Sequence, residues 1–69
     1  MDDKKKAFAR MLNKKISEKG ITKAELSRLI SVSDTTITNY TKGRCEPHPV
    51  FLKRIADIFD CSPDDLYKY

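Results

Sequence analysis

Residues Thr22–Gly43 read TKAELSRLISVSDTTITNYTKG, and this stretch decides the fold. It predicts two short helices joined by a three-residue turn at residues 31–33. Thr22 is a helix-capping residue, and Glu25 three positions later completes a reciprocal capping box. One face of the first helix, at a period of 3.6 residues, is apolar and expected in the core: Leu26, Leu29 and Ile30.

The second helix of this pair begins after Ser33, which is again a capping residue. Ile37 and Tyr40 form its apolar stripe. Gly43 is predicted to end it in a left-handed conformation, and Gly20 is predicted to end the preceding helix in the same way. Both glycines of the chain are therefore interpreted as helix stops.

The outer face of this second helix has an unusual composition for a solvated surface. At about 100° per residue, its centre contains Thr35, Thr38, Asn39 and Lys42, flanked by Asp34, Thr36 and Thr41. Thr and Asn are indifferent helix formers, so helix stability does not explain them. Short donors and acceptors with methyl groups suit the base edges of the DNA major groove. The alternative is an ordinary polar face on a small helical domain.

Three further helices are predicted, in an all-α chain that forms a single domain over residues 1–69. The first covers roughly residues 4–19, the fourth follows Pro47 with His48 as its cap, and a brief fifth starts at Ser62 with Asp65 closing a capping box. Residues 1–3 are expected to be a frayed end. The apolar faces of these helices are predicted to contain Phe8, Met11, Leu12 and Ile16; Leu52, Ile55, Ala56 and Phe59; and Leu66.

The charge is distributed unevenly along the chain. Residues 1–56 hold 13 Lys and Arg against six acids, a net of +7, whereas residues 57–69 hold one Lys against four Asp, a net of −3. A basic surface on the first four helices suits a polyanion, and a solvated surface without a partner is the alternative. Lys4, Lys5 and Lys6 are interpreted as an arm that reaches phosphates or as a solubilising helix start.

The residues that carry enzymatic or metal chemistry are not arranged in any known pattern. Cys45 and Cys61 lack the paired spacing of a zinc site, and His48 has no nucleophile in a recognisable motif. We interpret Cys61 as a small buried hydrophobic residue and Cys45 as an exposed loop thiol. The sequence predicts no enzyme, no cofactor and no metal. There is also no apolar run of membrane-spanning length and no signal peptide, so we expect a cytoplasmic protein.

The segment ITKAELSRLISVS at residues 21–33, followed by Pro47, Ala56, Phe59, Ser62 and Leu66, resembles the phage-repressor and Cro (XRE) helix-turn-helix family. The resemblance implies a compact five-helix, lambda-repressor-like fold with the helix-turn-helix in helices 2 and 3. It implies a homodimer on a pseudo-palindromic operator in double-stranded DNA. The implied base-reading residues are Asp34, Thr35, Thr38 and Asn39. The implied phosphate contacts are Thr22 through its amide, Lys23, Thr36, Lys42 and Arg44.

The chain departs from the family pattern at several positions. Lys23 replaces the usual Gln and loses its acceptor. Ser27 and Ser31 replace the usual Ala and Gly of the turn, and a left-handed Ser31 would cost on the order of 1 kcal/mol. An Arg and Glu pair found in relatives is replaced here by Ile16 and Thr41, which removes both charges together.

Asp34 has two possible roles in the second helix of the pair. Its carboxylate complements the positive helix N-terminus, or it accepts a hydrogen bond from cytosine N4. The residue type at this position is compatible with both.

The leading hypothesis is a sequence-specific DNA-binding protein, a prokaryotic or phage transcriptional repressor that acts by occupying its operator. A full-length chain of this size would have no room for an effector domain, and we therefore expect it to act by occupancy alone. The alternatives are an antitoxin or other protein-interaction module with the same fold, and the DNA-binding half of a longer repressor.

A dimer contact is expected near the C-terminal end. Phe51 and Ile58 lie beside the inner stripe of helix 4, and Tyr67 and Tyr69 end the chain, so more apolar surface gathers there than a small core needs. The alternative is that Phe51 and Ile58 simply widen the core stripe.

Overall fold

In the computed structural model, which describes residues 3–68, a capping side chain precedes every helix after the first. The α-helices are α1 (Asp3–Lys19), α2 (Lys23–Ile30), α3 (Asp34–Thr41) and α4 (Pro49–Ile58), and a 3₁₀ helix (Pro63–Tyr67) follows them. Residues 3–68 contain no β-strand. The all-α prediction is therefore confirmed, but the expected fifth helix is a single 3₁₀ segment, so the described residues form four α-helices.

The predicted caps are present. The Thr22 hydroxyl accepts from the amide of Glu25, whose carboxylate accepts from the Thr22 amide, as in a capping box. Ser33 caps α3, and His48 caps α4 by accepting from the Val50 amide through Nδ1 at 3.3 Å. A second capping box, formed by Ser62 and Asp65, starts the 3₁₀ helix. These contacts satisfy amides that the first turn of a helix leaves without partners.

The helix ends also follow the prediction. Gly20 and Gly43 have φ of 72° and 73°. After α3 the chain closes through the Arg44 amide, which donates to the Asn39 carbonyl at 3.0 Å, in the manner of a Schellman turn. Ser31 has φ 61° and ψ 44°, so the left-handed conformation expected at the turn is confirmed for a residue other than glycine.

The core forms where α1, α3 and the 3₁₀ helix meet. Phe8 is fully buried and contacts Tyr40 edge-on, with ring centroids 5.8 Å apart, and Tyr67 from another side at the same separation. The buried apolar residues of this cluster are Phe8, Met11, Leu12, Ile16, Leu26, Ile30, Ile37, Tyr40, Ile55, Ala56 and Leu66. Leu52 and Phe59 are half-buried at its edge. The predicted apolar faces of α1, α3 and α4 thus lie against one core.

The predicted face of α2 is wrong at one position. Leu29 is 58% exposed, whereas Ser27 is 3% exposed. Because Ser27 is small, α3 packs closely against that side of α2, and the buried arc turns toward Ser27 and away from Leu29.

Other expectations were less accurate. Cys45 and Cys61 are both half-buried and free, so Cys45 is less exposed and Cys61 less buried than predicted. Burial raises the pKa of the Cys61 thiol, which keeps it a poor nucleophile. Lys4, Lys5 and Lys6 lie within α1, which agrees with the predicted helix start and not with the arm. The expected frayed end at residues 1–3 is wrong at Asp3, which is the first residue of α1. Residues 1–2 lie outside the described residues, as does Tyr69.

No helix within residues 3–68 is both long and apolar enough to cross a membrane.

Candidate nucleic-acid interface

The turn between α2 and α3 is held by backbone and side-chain bonds. The Val32 amide donates to the Ser27 carbonyl at 2.9 Å, and the left-handed Ser31 lets the chain reverse within three residues. Ser33 Oγ then accepts from the Thr36 amide at 3.2 Å. The two helices are thereby joined with little freedom, and α2 packs directly on α3.

A hydrogen bond across this joint was missed by sequence reasoning. The Oγ atom of Ser27 lies 2.6 Å from Oδ1 of Asp34 and 2.7 Å from the Ala24 carbonyl oxygen. A hydroxyl has one hydrogen to donate, and a carboxylate is the stronger acceptor. Asp34 therefore accepts a hydrogen bond from α2 through Oδ1. This contact is a third role, in addition to the two that were predicted for Asp34. The signal available in the sequence was Ser27 in place of the usual Ala.

The outer face of α3 presents the predicted short polar side chains. Thr35 is exposed, and Thr38 and Asn39 are half-exposed. Within residues 3–68, none of these three side chains makes a hydrogen bond to another protein group. Thr36 differs, because its hydroxyl lies 2.9 Å from Ser33 Oγ and so belongs partly to the cap. The face therefore offers free donors and acceptors of limited reach.

Thr41 does not flank this face as predicted, because it is only 8% exposed. Its hydroxyl donates to the Thr38 carbonyl at 2.9 Å, and its carbonyl accepts from Asn13 Nδ2 at 3.0 Å. The same Asn13 amide donates to the Ala9 carbonyl at 2.9 Å. Asn13 thus ties the end of α3 to α1 and is a positioning residue that the sequence analysis did not find.

The predicted phosphate-contacting cations lie at both ends of the helix pair. Lys23 starts α2, Lys42 caps the end of α3, and Arg44 follows in the next loop; all three are exposed. The Thr22 amide already donates to Glu25 Oε1, at a long 3.3 Å. A phosphate would have to share that amide with the carboxylate or displace it.

The three residues expected at a dimer contact have different surroundings. Ile58 and Tyr67 are half-buried and pack against the core. Burial also raises the pKa of the Tyr67 hydroxyl, with a further contribution from Glu46. Phe51 is half-exposed, and the Arg54 guanidinium lies 5.7 Å above its ring while donating to the Ile30 carbonyl at 3.4 Å. Only Phe51 among the three has no place in the core cluster.

In the described part of the chain, no group of three or more His, Cys, Asp or Glu side chains is placed to hold a metal ion.

Comparisons with known proteins identify this arrangement. A comparison with curated protein sequences found no match. Among solved structures, the clp gene regulator ClgR from Corynebacterium glutamicum superimposes with a TM-score of 0.82 at 24% sequence identity. The match covers 90% of this chain and 66% of that one, so this chain spans slightly less than two thirds of its length. At this identity the likeness shows the fold. The model of the Cro/C1-type helix-turn-helix DNA-binding domain matches residues 11–69, and the chain therefore belongs to that family.

Proposed function

We propose that this protein binds double-stranded DNA in a sequence-specific manner and regulates transcription as a repressor, by occupying an operator that overlaps a promoter. The observation that carries the proposal is the outer face of α3, where the side chains of Thr35, Thr38 and Asn39 have no hydrogen-bond partner among residues 3–68. Asn pairs bidentately with adenine, and Thr donates, accepts or contacts a thymine methyl. Such a protein would act in the cytoplasm.

In this proposal α3 lies in the major groove and α2 crosses the DNA backbone. The base-reading residues are Asp34, Thr35, Thr38 and Asn39. Asp34 would accept from cytosine N4 through Oδ2, since Oδ1 is bonded to Ser27. The phosphate contacts are Thr22, Lys23, Thr36, Lys42 and Arg44.

Two subunits are proposed to bind one pseudo-palindromic operator, with reading helices about one DNA turn, roughly 34 Å, apart. Phe51, Ile58 and Tyr67 are the proposed contact, with Phe51 at its centre because it is the one not committed to the core. Such a small contact makes a weak dimer without DNA, and DNA then supplies association energy by holding two subunits side by side. Sedimentation of the saturated complex tests this, and one subunit on a single, non-repeated site would contradict it.

Selection of bound fragments from a random double-stranded library tests sequence specificity. We expect one enriched motif whose half-sites are about 10 base pairs apart. Equal recovery of all sequences would contradict the proposal.

Asn39→Ala and Lys23→Ala then separate reading from positioning. Asn39→Ala is expected to cost about 1–3 kcal/mol on the selected site while leaving non-specific affinity nearly intact. Lys23→Ala is expected to weaken all DNA alike and to lower the salt slope by about 0.9. Lys53→Ala, an exposed lysine on α4, is the control and should change neither. A uniform loss for Asn39→Ala would show that α3 does not read bases.

A further inference from the structure

Ser27 lies on the side of α2 that faces α3 and contacts the first residue of α3. Its side chain is 3% exposed, and its neighbours on the same face of α2, Leu26 and Ile30, are fully buried. Its Oγ atom lies 2.6 Å from Oδ1 of Asp34, which is an exposed residue. A side chain enclosed in this way does not reach DNA itself, but it belongs to a rigid support for one that does.

The hydroxyl hydrogen of Ser27 has two acceptors within reach. One is the Ala24 carbonyl oxygen at 2.7 Å, which lies in the same helix, and the other is the Asp34 carboxylate. Because the Ser27 side chain is buried, water does not compete with these two acceptors. The charged acceptor forms the stronger hydrogen bond, so the Asp34 side chain is held in one orientation.

This bond leaves Asp34 one carboxylate oxygen for a partner outside the protein. Among residues 3–68, Oδ2 has no hydrogen-bond partner. In the major groove, guanine presents only acceptors and thymine presents an acceptor and a methyl group, and acceptors repel a carboxylate. Adenine places its N7 acceptor beside its amino group, whereas cytosine N4 is a donor with no acceptor beside it on the same base. A single free oxygen therefore fits cytosine best.

The helix dipole explains an acid at position 34 but not its contact with Ser27. A carboxylate at the N-terminus of α3 complements the partial positive charge there in any rotamer. The bond from Ser27 adds something that the dipole does not need, because it selects one of the three staggered χ1 rotamers. Selection of a rotamer matters for a directional contact with a base.

We propose that Ser27 is a positioning residue that determines specificity, because it holds the Asp34 carboxylate through Oδ1 so that Oδ2 accepts from cytosine N4. This inference rests on the proposed function. Without the hydroxyl, the carboxylate divides its time among about three rotamers, so the preference for cytosine falls about threefold. Ser27 itself does not touch the DNA.

A cycle of variants measured at one base pair tests the inference. Fragment selections with the wild type and with Asp34→Ala locate the base pair that Asp34 reads, which we expect to be a C·G pair. Affinities for duplexes that carry each of the possible base pairs at that position are then measured by fluorescence anisotropy. The proteins compared are the wild type, Ser27→Ala, Asp34→Ala and the double variant.

The expected results distinguish the two side chains. Asp34→Ala should abolish the preference for cytosine, and Ser27→Ala should lower it about threefold. In the Asp34→Ala background, Ser27→Ala should have no further effect on the preference, because the hydroxyl then has no carboxylate to hold.

Three controls separate positioning from a general loosening of the fold. The preference at the base pair read by Asn39 should be unchanged in Ser27→Ala, because a displaced α3 would weaken both base pairs. Ser27→Cys keeps the size of the side chain but replaces the hydroxyl by a weak donor, so it should lose the cytosine preference as Ser27→Ala does. Ser17→Ala removes an exposed hydroxyl from α1 and should change nothing. Thermal unfolding verifies that each variant is folded at the assay temperature.

An undiminished cytosine preference in Ser27→Ala would overturn the inference. So would a preference that Ser27→Ala loses and Ser27→Cys retains, or an equal loss at the base pairs read by Asp34 and Asn39. If Asp34→Ala selects the wild-type motif, Asp34 reads no base and the inference fails, while the proposed function stands on Asn39. A wild type that selects no motif would remove both.

Discussion

Removing the Ser27 hydroxyl is expected to loosen the joint between α2 and α3. Its 2.6 Å contact with the Asp34 carboxylate has the length of a charge-assisted hydrogen bond, a type that contributes about 1.5–3 kcal/mol. Asp34 is exposed, so water replaces the lost donor, and Ala is a better helix former than Ser. These two effects reduce the net cost of Ser27→Ala to about 1 kcal/mol. For a domain of this size, that loss lowers Tm by about 4–8 °C.

A double-mutant cycle isolates this bond from other effects of each substitution. Ser27→Ala, Asp34→Ala, the double variant and the wild type are unfolded in urea and followed by circular dichroism. Asp34→Ala also removes a carboxylate from the N-terminus of α3, but that loss occurs with and without the hydroxyl and cancels in the cycle. We expect a coupling energy of about 1 kcal/mol. Independent sites add to within about 0.3–0.5 kcal/mol, so a smaller coupling would refute the reasoning.

Three further changes test other parts of the fold. Ser31→Gly should stabilise the protein by about 1 kcal/mol, because the left-handed conformation no longer carries a Cβ, and an unchanged urea midpoint would contradict this. Leu66→Ala should lower the free energy of unfolding by about 2–5 kcal/mol, because the Leu66 side chain is fully buried. Val50→Ala, at a position that is 52% exposed, is the control and should change this free energy little in the same assay. The Ser62 amide and then Lys68 lower the pKa of the Asp65 carboxyl below its ordinary 3.8. The unfolded chain therefore takes up a proton first as the pH falls. The stability contributed by the charge is present above pH 3.8 and is lost as the pH falls through the lowered pKa. Asp65→Asn should lack this acid-dependent loss in unfolding measured against pH.

The exposure of Leu29 shows where periodicity is insufficient. A 3.6-residue period groups Leu29 with Leu26 and Ile30 as readily as it groups Ser27 with them. Hydrophobicity favours Leu29, but the structure buries Ser27. A small side chain allows close helix packing and the Asp34 carboxylate satisfies the hydroxyl, so the choice depends on the neighbouring helix rather than on α2 itself.

The sequence predicted the position of some residues of the candidate interface but not of all. Thr35, Thr38 and Asn39 lie on the outer face because Ile37 and Tyr40 determine how α3 faces the core. The burial of Thr41 was not predictable from α3 alone, because it depends on Asn13 of α1, 28 positions earlier in the chain. The roles of the outer-face residues toward DNA stay predictions.

By itself the sequence determined the helix caps, the left-handed residues Gly20, Ser31 and Gly43, and the centre of the outer face of α3. Caps, glycines and apolar periods act within a few residues, so their effects are readable locally. Tertiary structure alone decided which side of α2 is buried, which oxygen of Asp34 accepts a hydrogen bond, and that Asn13 of α1 holds the end of α3. These features arise from packing between helices far apart in the chain, where side-chain size and hydrogen-bond geometry choose among arrangements that local patterns allow equally.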